Sequence, residues 1–436
     1  MKTITFRRAA LLTATASATL LGAASANAAG FYLQEQSTKA VGRAFSGEAA
    51  DQGAESLWWN PAAIAGNATS SAYVSAAAIL PSSKVRNVNT LIRRPTNATP
   101  VPITGNQVSE DPIKKGVLPS GGVAYKLNDQ WAVGLAITSP FSFATNYEAN
   151  SWARYTADKT KLTTIDIQPT IAFAPSPMIG LGFGINIEHS DATLSNALPN
   201  VSATLPDGQQ TLKGKGWDFG WSAGVQLHPT DTIDLGLSYK SSIKHKLKGS
   251  VVITGLVAPI PTANNINVNA VARFRTPWQL TGAARVKVMD ALTLNGSVSR
   301  VGWKKFDAIR LGAPLNTAIP ENYRNTWSVA GGWDYDVSPQ LALRGGIQWD
   351  QTPTQDGNRD ARVPDGNRWN FALGTSYKVS DAFTLDGGAM YTRFAKESID
   401  RVTAAYAGTP LQTPILTNGR VTGHALIFSL GARAAF

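Results

Sequence analysis

The sequence predicts an all-β transmembrane barrel of about fourteen antiparallel strands, with a partly helical N-terminal hatch plugging its lumen. Three observations carry that reading. Apolar residues alternate with small or polar ones at a period of two, short connections alternate with long ones, and the stretch Gly30 to Gly66 differs from everything after it.

The chain opens on a leader. Lys2, Arg7 and Arg8 are followed by the apolar run Ala9 to Ala24 and then by Ala26-Asn27-Ala28. A basic head, an apolar middle and a small-x-small site are the order of a signal peptide, so residues 1–28 are read as cleaved and Ala29 as the mature start. Thr13, Thr15, Ser17 and Thr19 dilute the run, which argues against an anchor helix.

Residues 29–66 are read as the hatch. Ala40, Val41 and Ala44 fall at helical spacing, and Glu55 to Trp59 offers one more turn before Pro61. Asn60-Pro61-Ala62-Ala63-Ile64-Ala65-Gly66 has the order of a miniature helix, with Asn as N-cap, Pro at the first position and Gly past the end. Isolated helices under roughly 12 residues are marginal in water. Something must therefore surround these pieces, and residues 67–436 are the material for it.

Alternation is clearest in four segments. Ile179, Leu181, Phe183, Ile185 and Ile187 alternate with glycines, Asn186 and Glu188; Trp217, Phe219, Trp221, Ala223, Val225 and Leu227 alternate with Asp218, Gly220, Ser222, Gly224 and Gln226. Ile233 to Lys240 and Leu341 to Asp350 repeat the pattern. Periodicity alone fits a soluble sandwich as well as a barrel. Connection lengths choose between them. Short turns at Asn128-Asp129-Gln130, Ala174 to Pro177, His228 to Asp231, Met289-Asp290, Ser338-Pro339 and Ser380-Asp381 are separated by longer polar stretches at 81–119, 144–160, 196–212, 254–266, 312–322, 352–366 and 402–418. Tight periplasmic turns and long outer loops are the pattern of outer-membrane barrels. The last segment, Val421 to Phe436, ends on an aromatic residue. Trp131, Trp217, Tyr239, Trp303, Trp327, Trp349 and Trp369 sit near segment ends, as interfacial girdles require.

Composition removes several chemistries. With 43% hydrophobic and 16% charged residues the chain looks soluble on average, but a barrel needs only every second residue apolar. The absence of cysteine excludes disulfides, thiolate metal sites and a cysteine nucleophile. Of the formal charge of +11, three positives lie in the leader, which leaves an excess of +8 scattered without a basic block. That fits lumen, loop or lipid-headgroup positions and gives no nucleic-acid partner. His189, His228, His245 and His424 lack metal-ligand spacing, and no cofactor is implied. Gly220-Trp221-Ser222-Ala223-Gly224 matches the nucleophile pattern of hydrolases, yet it lies within an alternating strand instead of a strand-to-helix elbow. An outer-membrane lipid hydrolase using Ser222 and a general water-filled porin stand as the alternatives to a transporter of hydrophobic compounds.

Ala29-Gly30-Phe31, Gly42 to Glu48, Asn60-Pro61-Ala62, Ile137 to Thr145, Trp217 to Gly224, Tyr239-Lys240-Ser241 and Pro364-Asp365 with Arg368 together resemble the outer-membrane long-chain fatty acid transporter family, FadL-like, which also contains aromatic-hydrocarbon channels. The resemblance implies a monomeric fourteen-stranded barrel in the outer membrane of a Gram-negative bacterium, a lumenal hatch containing Asn60, Pro61 and Ala62, and a wall opening for passive exit of hydrophobic small molecules. It makes Pro140, Phe141 and Phe143 the rim of that lateral gate; read from the residues, Pro140 marks either a bend in the third strand or simply its end. Phe31 and Leu33 are the implied pocket residues. A carboxylate-bearing substrate needs a cation. The stretches His189 to Leu194 and Thr317 to Pro320, where the family's basic residues are expected, hold no Lys or Arg, which leaves Arg43 and Arg324 as candidates by chemistry. Glu48 is the expected partner of Arg43. Outer-membrane lipid and lipopolysaccharide, and the barrel assembly machinery through Phe436, are the expected partners.

Overall fold

The computed structural model describes residues 30–436, apart from Pro314 and the side chain of Thr262. The leader read at 1–28 lies outside them. Fourteen strands follow an N-terminal segment. They are β1 Ser71–Asn87, β2 Gly116–Lys126, β3 Trp131–Thr138 resumed at Phe143–Asn146, β4 Lys159–Ser176, β5 Ile179–Leu198, β6 Gly208–Thr230, β7 Ile233–Lys240 resumed at Lys244–Thr254 and β8 Ile266–Arg275 resumed at Gln279–Met289. The ring continues with β9 Leu292–Val301 and Ala308–Leu311, β10 Thr317–Pro320 and Thr326–Asp336, β11 Leu341–Asp350, β12 Arg368–Ser380, β13 Phe383–Phe394 and Glu397–Ala405, and β14 Thr413–Ala435. Each strand pairs antiparallel with the next, and β14 returns to β1 from Ser71 opposite Ala435 to Asn87 opposite Gly419. Closure of this kind removes every sheet edge, a requirement in hydrocarbon where no water can satisfy a free N–H.

The two faces follow the alternation. Phe183, Ile185, Trp217, Phe219, Trp221, Leu237, Ile347, Phe371, Phe428 and Leu430 point outward and are exposed, whereas Gln168, Ser190, Ser222 and Gln226 are buried inside. Strands are longer than the sequence suggested. β6 has 23 residues, roughly 75 Å of chain, where a tilted span needs only about 9–11 residues. The excess projects past the membrane on the long-loop side, so the connections read at 81–119 and 196–212 shrink as paired strand takes their ends.

The N-terminal segment lies in the bore. Helix α1, Thr38–Gly42, is capped by Ser37, whose side chain accepts from the Ala40 N–H. Three 3₁₀ turns follow, Glu48–Ala50, Ala54–Ser56 and Pro61–Ile64. Asn60 caps the last as the sequence implies, its Oδ1 accepting from the Ala62 N–H at 2.9 Å. These pieces touch the wall from β4–β6 round to β11–β14. The small residues of the inward face make that contact. A Cβ at Gly182 would overlap the backbone of Pro61, and one at Gly346 would overlap the Arg43 carbonyl. One girdle residue is corrected. Trp303 is fully buried and packs inward on Phe31, because β9 is interrupted after Val301 and outward parity is lost there.

Candidate functional site

β3 does not end at Pro140. It breaks at residues 139–142 and resumes at Phe143, and the N-terminal segment fills the break. Leu33 N donates to the Pro140 carbonyl at 2.8 Å and Ser142 N to the Phe31 carbonyl at 3.1 Å, so Tyr32 and Phe141 form an antiparallel bridge. Side chains supply what the ladder lacks. The Gln36 amide donates to the Ser139 carbonyl and accepts from its N–H at 3.1 and 3.2 Å, and the Phe141 N–H donates to Thr164 Oγ1 at 3.0 Å. A break left unpaired at this depth would cost several kcal/mol per polar group.

Aromatic rings close over this seam. Phe31 lies 4.9 Å from Trp303, 5.0 Å from Phe306 and 5.9 Å from Phe141, centroid to centroid, and Tyr323 joins at 5.0 Å from Phe306. Mostly edge-to-face pairs of this spacing are favourable beyond their burial. Leu33 is wholly buried and Phe143 nearly so, beside the same cluster. Phe31, Leu33, Pro140, Phe141 and Phe143, separate in sequence, therefore meet.

The cations do not join them. Arg43 pairs with Glu48 at 2.8 Å, as the sequence suggested, and also with Asp51 at 2.5 Å and Asp334 at 3.1 Å. Burial pulls the guanidinium pKa down, but these three carboxylates outweigh it and hold it well above its ordinary value. Arg324 donates its Nε to the Thr352 carbonyl at 3.1 Å and fixes the break in β10 to the following loop. Lys39, Arg285, Arg344 and Arg433 complete a network with Asp51, Asp334, Glu55 and Asp386 that ties the N-terminal segment to the wall. Glu35, buried with Oε2 unpaired among the described residues, is pushed up to about 7 by burial, against backbone hydrogen bonds and Arg368, which pull it down.

Lys240 is a further cation at the seam, outside the residues expected there from the sequence. Its Nζ sits 3.2 Å from the centroid of the Trp58 ring and has no hydrogen-bond partner among the described residues, in a cavity of about 20 Å³ shared with Pro140, Phe141, Asp166 and Glu188. The signal was present in its inward parity; the indole opposite it was not. Asn60 ties the N-terminal segment to the wall, donating to the carbonyls of Ala49 at 2.7 Å and of Val225 on β6 at 3.2 Å, while Pro61 and Ala62 lie against Gly182. Ser222 lies mid-strand on β6 with no hydrogen-bond partner among the described residues, its Oγ without a histidine base. No metal-binding group of His, Asp or Glu occurs among the described residues.

Residues 19–436 match the family model described as outer membrane protein transport protein (OMPP1/FadL/TodX). The chain belongs to this family. Like its FadL-type relatives it is an outer-membrane channel for passive uptake of hydrophobic molecules, and not an enzyme. An outer membrane protein of Neisseria meningitidis is 28% identical over 94% of this chain and 96% of its own length, and a long-chain fatty acid transport protein of Escherichia coli is 25% identical over 83% and 86%. The crystal structure of a Pseudomonas aeruginosa FadL homologue superposes with a TM-score of 0.82 at 25% identity, covering 94% of this chain and all of that one. The toluene transporter TbuX of Ralstonia pickettii shares the fold at 15% identity, with a TM-score of 0.63 over 92% of this chain and 98% of its own.

Proposed function

We propose that this FadL-family barrel passes its cargo sideways into the bilayer through the break in β3, with residues 29–66 as the hatch. A hydrophobic solute that crossed an aqueous bore would meet water again at the far side, so an exit into lipid follows from the cargo. The observation that carries the reading is the seam itself: Phe31 to Leu33 are hydrogen-bonded into the strand they interrupt, against Phe141 and Phe143. Cargo entering from the long-loop side reaches Phe31, Trp303 and Phe306, and withdrawal of Phe31 opens both pocket and wall. Arg43 and Arg324 are engaged elsewhere and Lys240 faces Asp166 and Glu188, so the aromatic pocket at Phe31 suits uncharged aromatic or aliphatic hydrocarbon better than a fatty acid. The names of the E. coli and R. pickettii relatives span both classes. Asn60, Pro61 and Ala62 serve as the fixed foot of the hatch. The remaining partners in this reading are outer-membrane lipid with its lipopolysaccharide, and the barrel assembly machinery, which takes the exposed Phe436 of a monomer.

The cysteine-free chain permits a direct test. Leu33 N and Ser142 N bond on either side of the Tyr32–Phe141 pair, which makes it a non-hydrogen-bonded pair, with Cα atoms roughly 4.5 Å apart in such ladders and within disulfide reach. A strain complemented with the Tyr32→Cys/Phe141→Cys variant should lose uptake of hydrocarbon and fatty-acid probes when oxidised and recover it on reduction. Uptake that ignores the crosslink would remove the seam from the path, and uptake of small sugars by the native protein would favour the porin alternative.

A further inference from the structure

Lysines at the short-turn rim are paired, whereas six cations grouped at the long-loop rim are not paired among the described residues, although Lys84 and Arg310 of that rim bond Glu110 and Asp307 and Arg310 stands in register with Arg273. At the short-turn rim, Lys126, Lys287 and Lys378 each bond an aspartate three residues on, at 2.8, 3.5 and 2.9 Å. At the opposite rim, β6, β7 and β8 turn Lys215, Lys244, Lys246, Lys248, Arg273 and Arg275 to the exposed outer face, while His245 and Leu247 between the β7 lysines are buried inside. Strand register sets these cations face to face. Lys215 stands opposite Lys248, Lys246 opposite Arg273 and Lys244 opposite Arg275. Like charges directly opposite destabilise a sheet. None of the six side chains has an ion-pair or hydrogen-bond partner among the described residues. Asp191, in register with Lys215 on β5, makes no ion pair with it, and Asp218 accepts from the Lys246 backbone N–H and faces the His245 ring.

The surface below the patch gives its depth. Phe183, Trp221, Tyr239 and Trp278 form an outward row across β5 to β8, with centroid separations of 6.3, 5.2 and 6.3 Å. Such rows mark the headgroup boundary. Trp217 continues it upward, and Lys215 lies two residues further, roughly 7 Å along the strand. The cations therefore stand where lipid phosphates stand, on the outer leaflet.

We propose that the outer face of β6–β8 is a docking site for lipopolysaccharide. Its phosphates enter between the opposed cations and turn three repulsions into charge-assisted hydrogen bonds, while its acyl chains lie along the aromatic row. Lipopolysaccharide is chosen over an anionic glycerophospholipid because the patch is on the long-loop rim and holds several cations in one cluster, which suits a lipid with more than one phosphate. The site is outside the bore, so it rests on the outer-membrane placement and not on the lateral exit.

Native mass spectrometry of the full-length protein in neutral detergent tests this, with bisphosphorylated lipid A, dephosphorylated lipid A and phosphatidylglycerol as probes. The native protein should bind bisphosphorylated lipid A at least tenfold more tightly than either other probe. Lys215→Gln/Lys246→Gln/Arg273→Gln/Arg275→Gln should lose that preference and one tightly bound lipid, while hydrocarbon uptake is unchanged. Lys287→Gln/Lys378→Gln should keep the preference. In detergent alone the quadruple variant should melt above the native protein, because repulsion is removed, and added lipid A should raise the melting point of the native protein only. If the quadruple variant does not fold, Arg273→Gln alone should show a partial loss. Equal binding by native and variant protein, or phosphatidylglycerol bound as tightly as lipid A, would overturn the proposal.

Discussion

Arg43 and Glu35 show what the bore demands of single residues. Removing the Arg43 side chain leaves Glu48, Asp51 and Asp334 facing one another with less compensation, and breaking a buried pair costs about 3–5 kcal/mol. Arg43→Ala should therefore lower the melting temperature and raise ion leakage in planar bilayers. Glu35 acts in the other direction. Its folded pKa of about 7 exceeds the ordinary 4.5, so the folded state holds its proton longer than the unfolded one. Stability is then highest below pH 4.5, falls as pH rises toward 7 and is level beyond, a change on the order of 3 kcal/mol. Glu35→Gln should remove this component of the slope in melts between pH 5 and 8; an unchanged slope would assign it to other groups. At this scale the sequence was partly legible. The Arg43–Glu48 pair lies five residues apart and could be anticipated, whereas Asp334 is brought to Arg43 only by ring closure. Lys240 could be placed on the inward face, but nothing in the chain's order links it to Trp58.

Among elements, the break in β3 and the hatch depend on each other. The two readings of Pro140 could not be separated from the sequence, because a strand that ends and one that resumes after four residues share the same local signal. The partner that fills the gap, Phe31 to Leu33, is over one hundred residues away. Helix ends were more legible. Asn60, Pro61 and Gly66 fell where expected, although the turn they bound is 3₁₀ because four residues are too few for α-helical bonding to settle. The glycines of the inward parity were read as merely small, yet they are the seat of the hatch. Gly346→Val, which collides with the Arg43 backbone, should unseat α1 and its ionic network while leaving the β-sheet intact. Higher bilayer conductance with an unchanged far-UV circular dichroism spectrum is the expected result; normal conductance would mean that the bore is sealed without this contact.

The whole molecule follows from strand number and closure, both legible because alternation and connection length repeat along the chain. What the sequence could not give is how far each strand rises beyond the membrane, since alternation continues in water on paired backbone as it does in lipid. Deleting residues 31–66 should leave a folded ring, seen as heat-modifiable migration in gels, with ion leakage raised well above the native level. The ring's closure has a consequence for how the molecule is made. Phe436 N–H bonds to the Ser70 carbonyl, and the final strand joins the first over seventeen residue pairs. Without that strand, β1 and β13 would each present an unpaired edge to hydrocarbon, so the wall has no sealed form until β14 is in place between them.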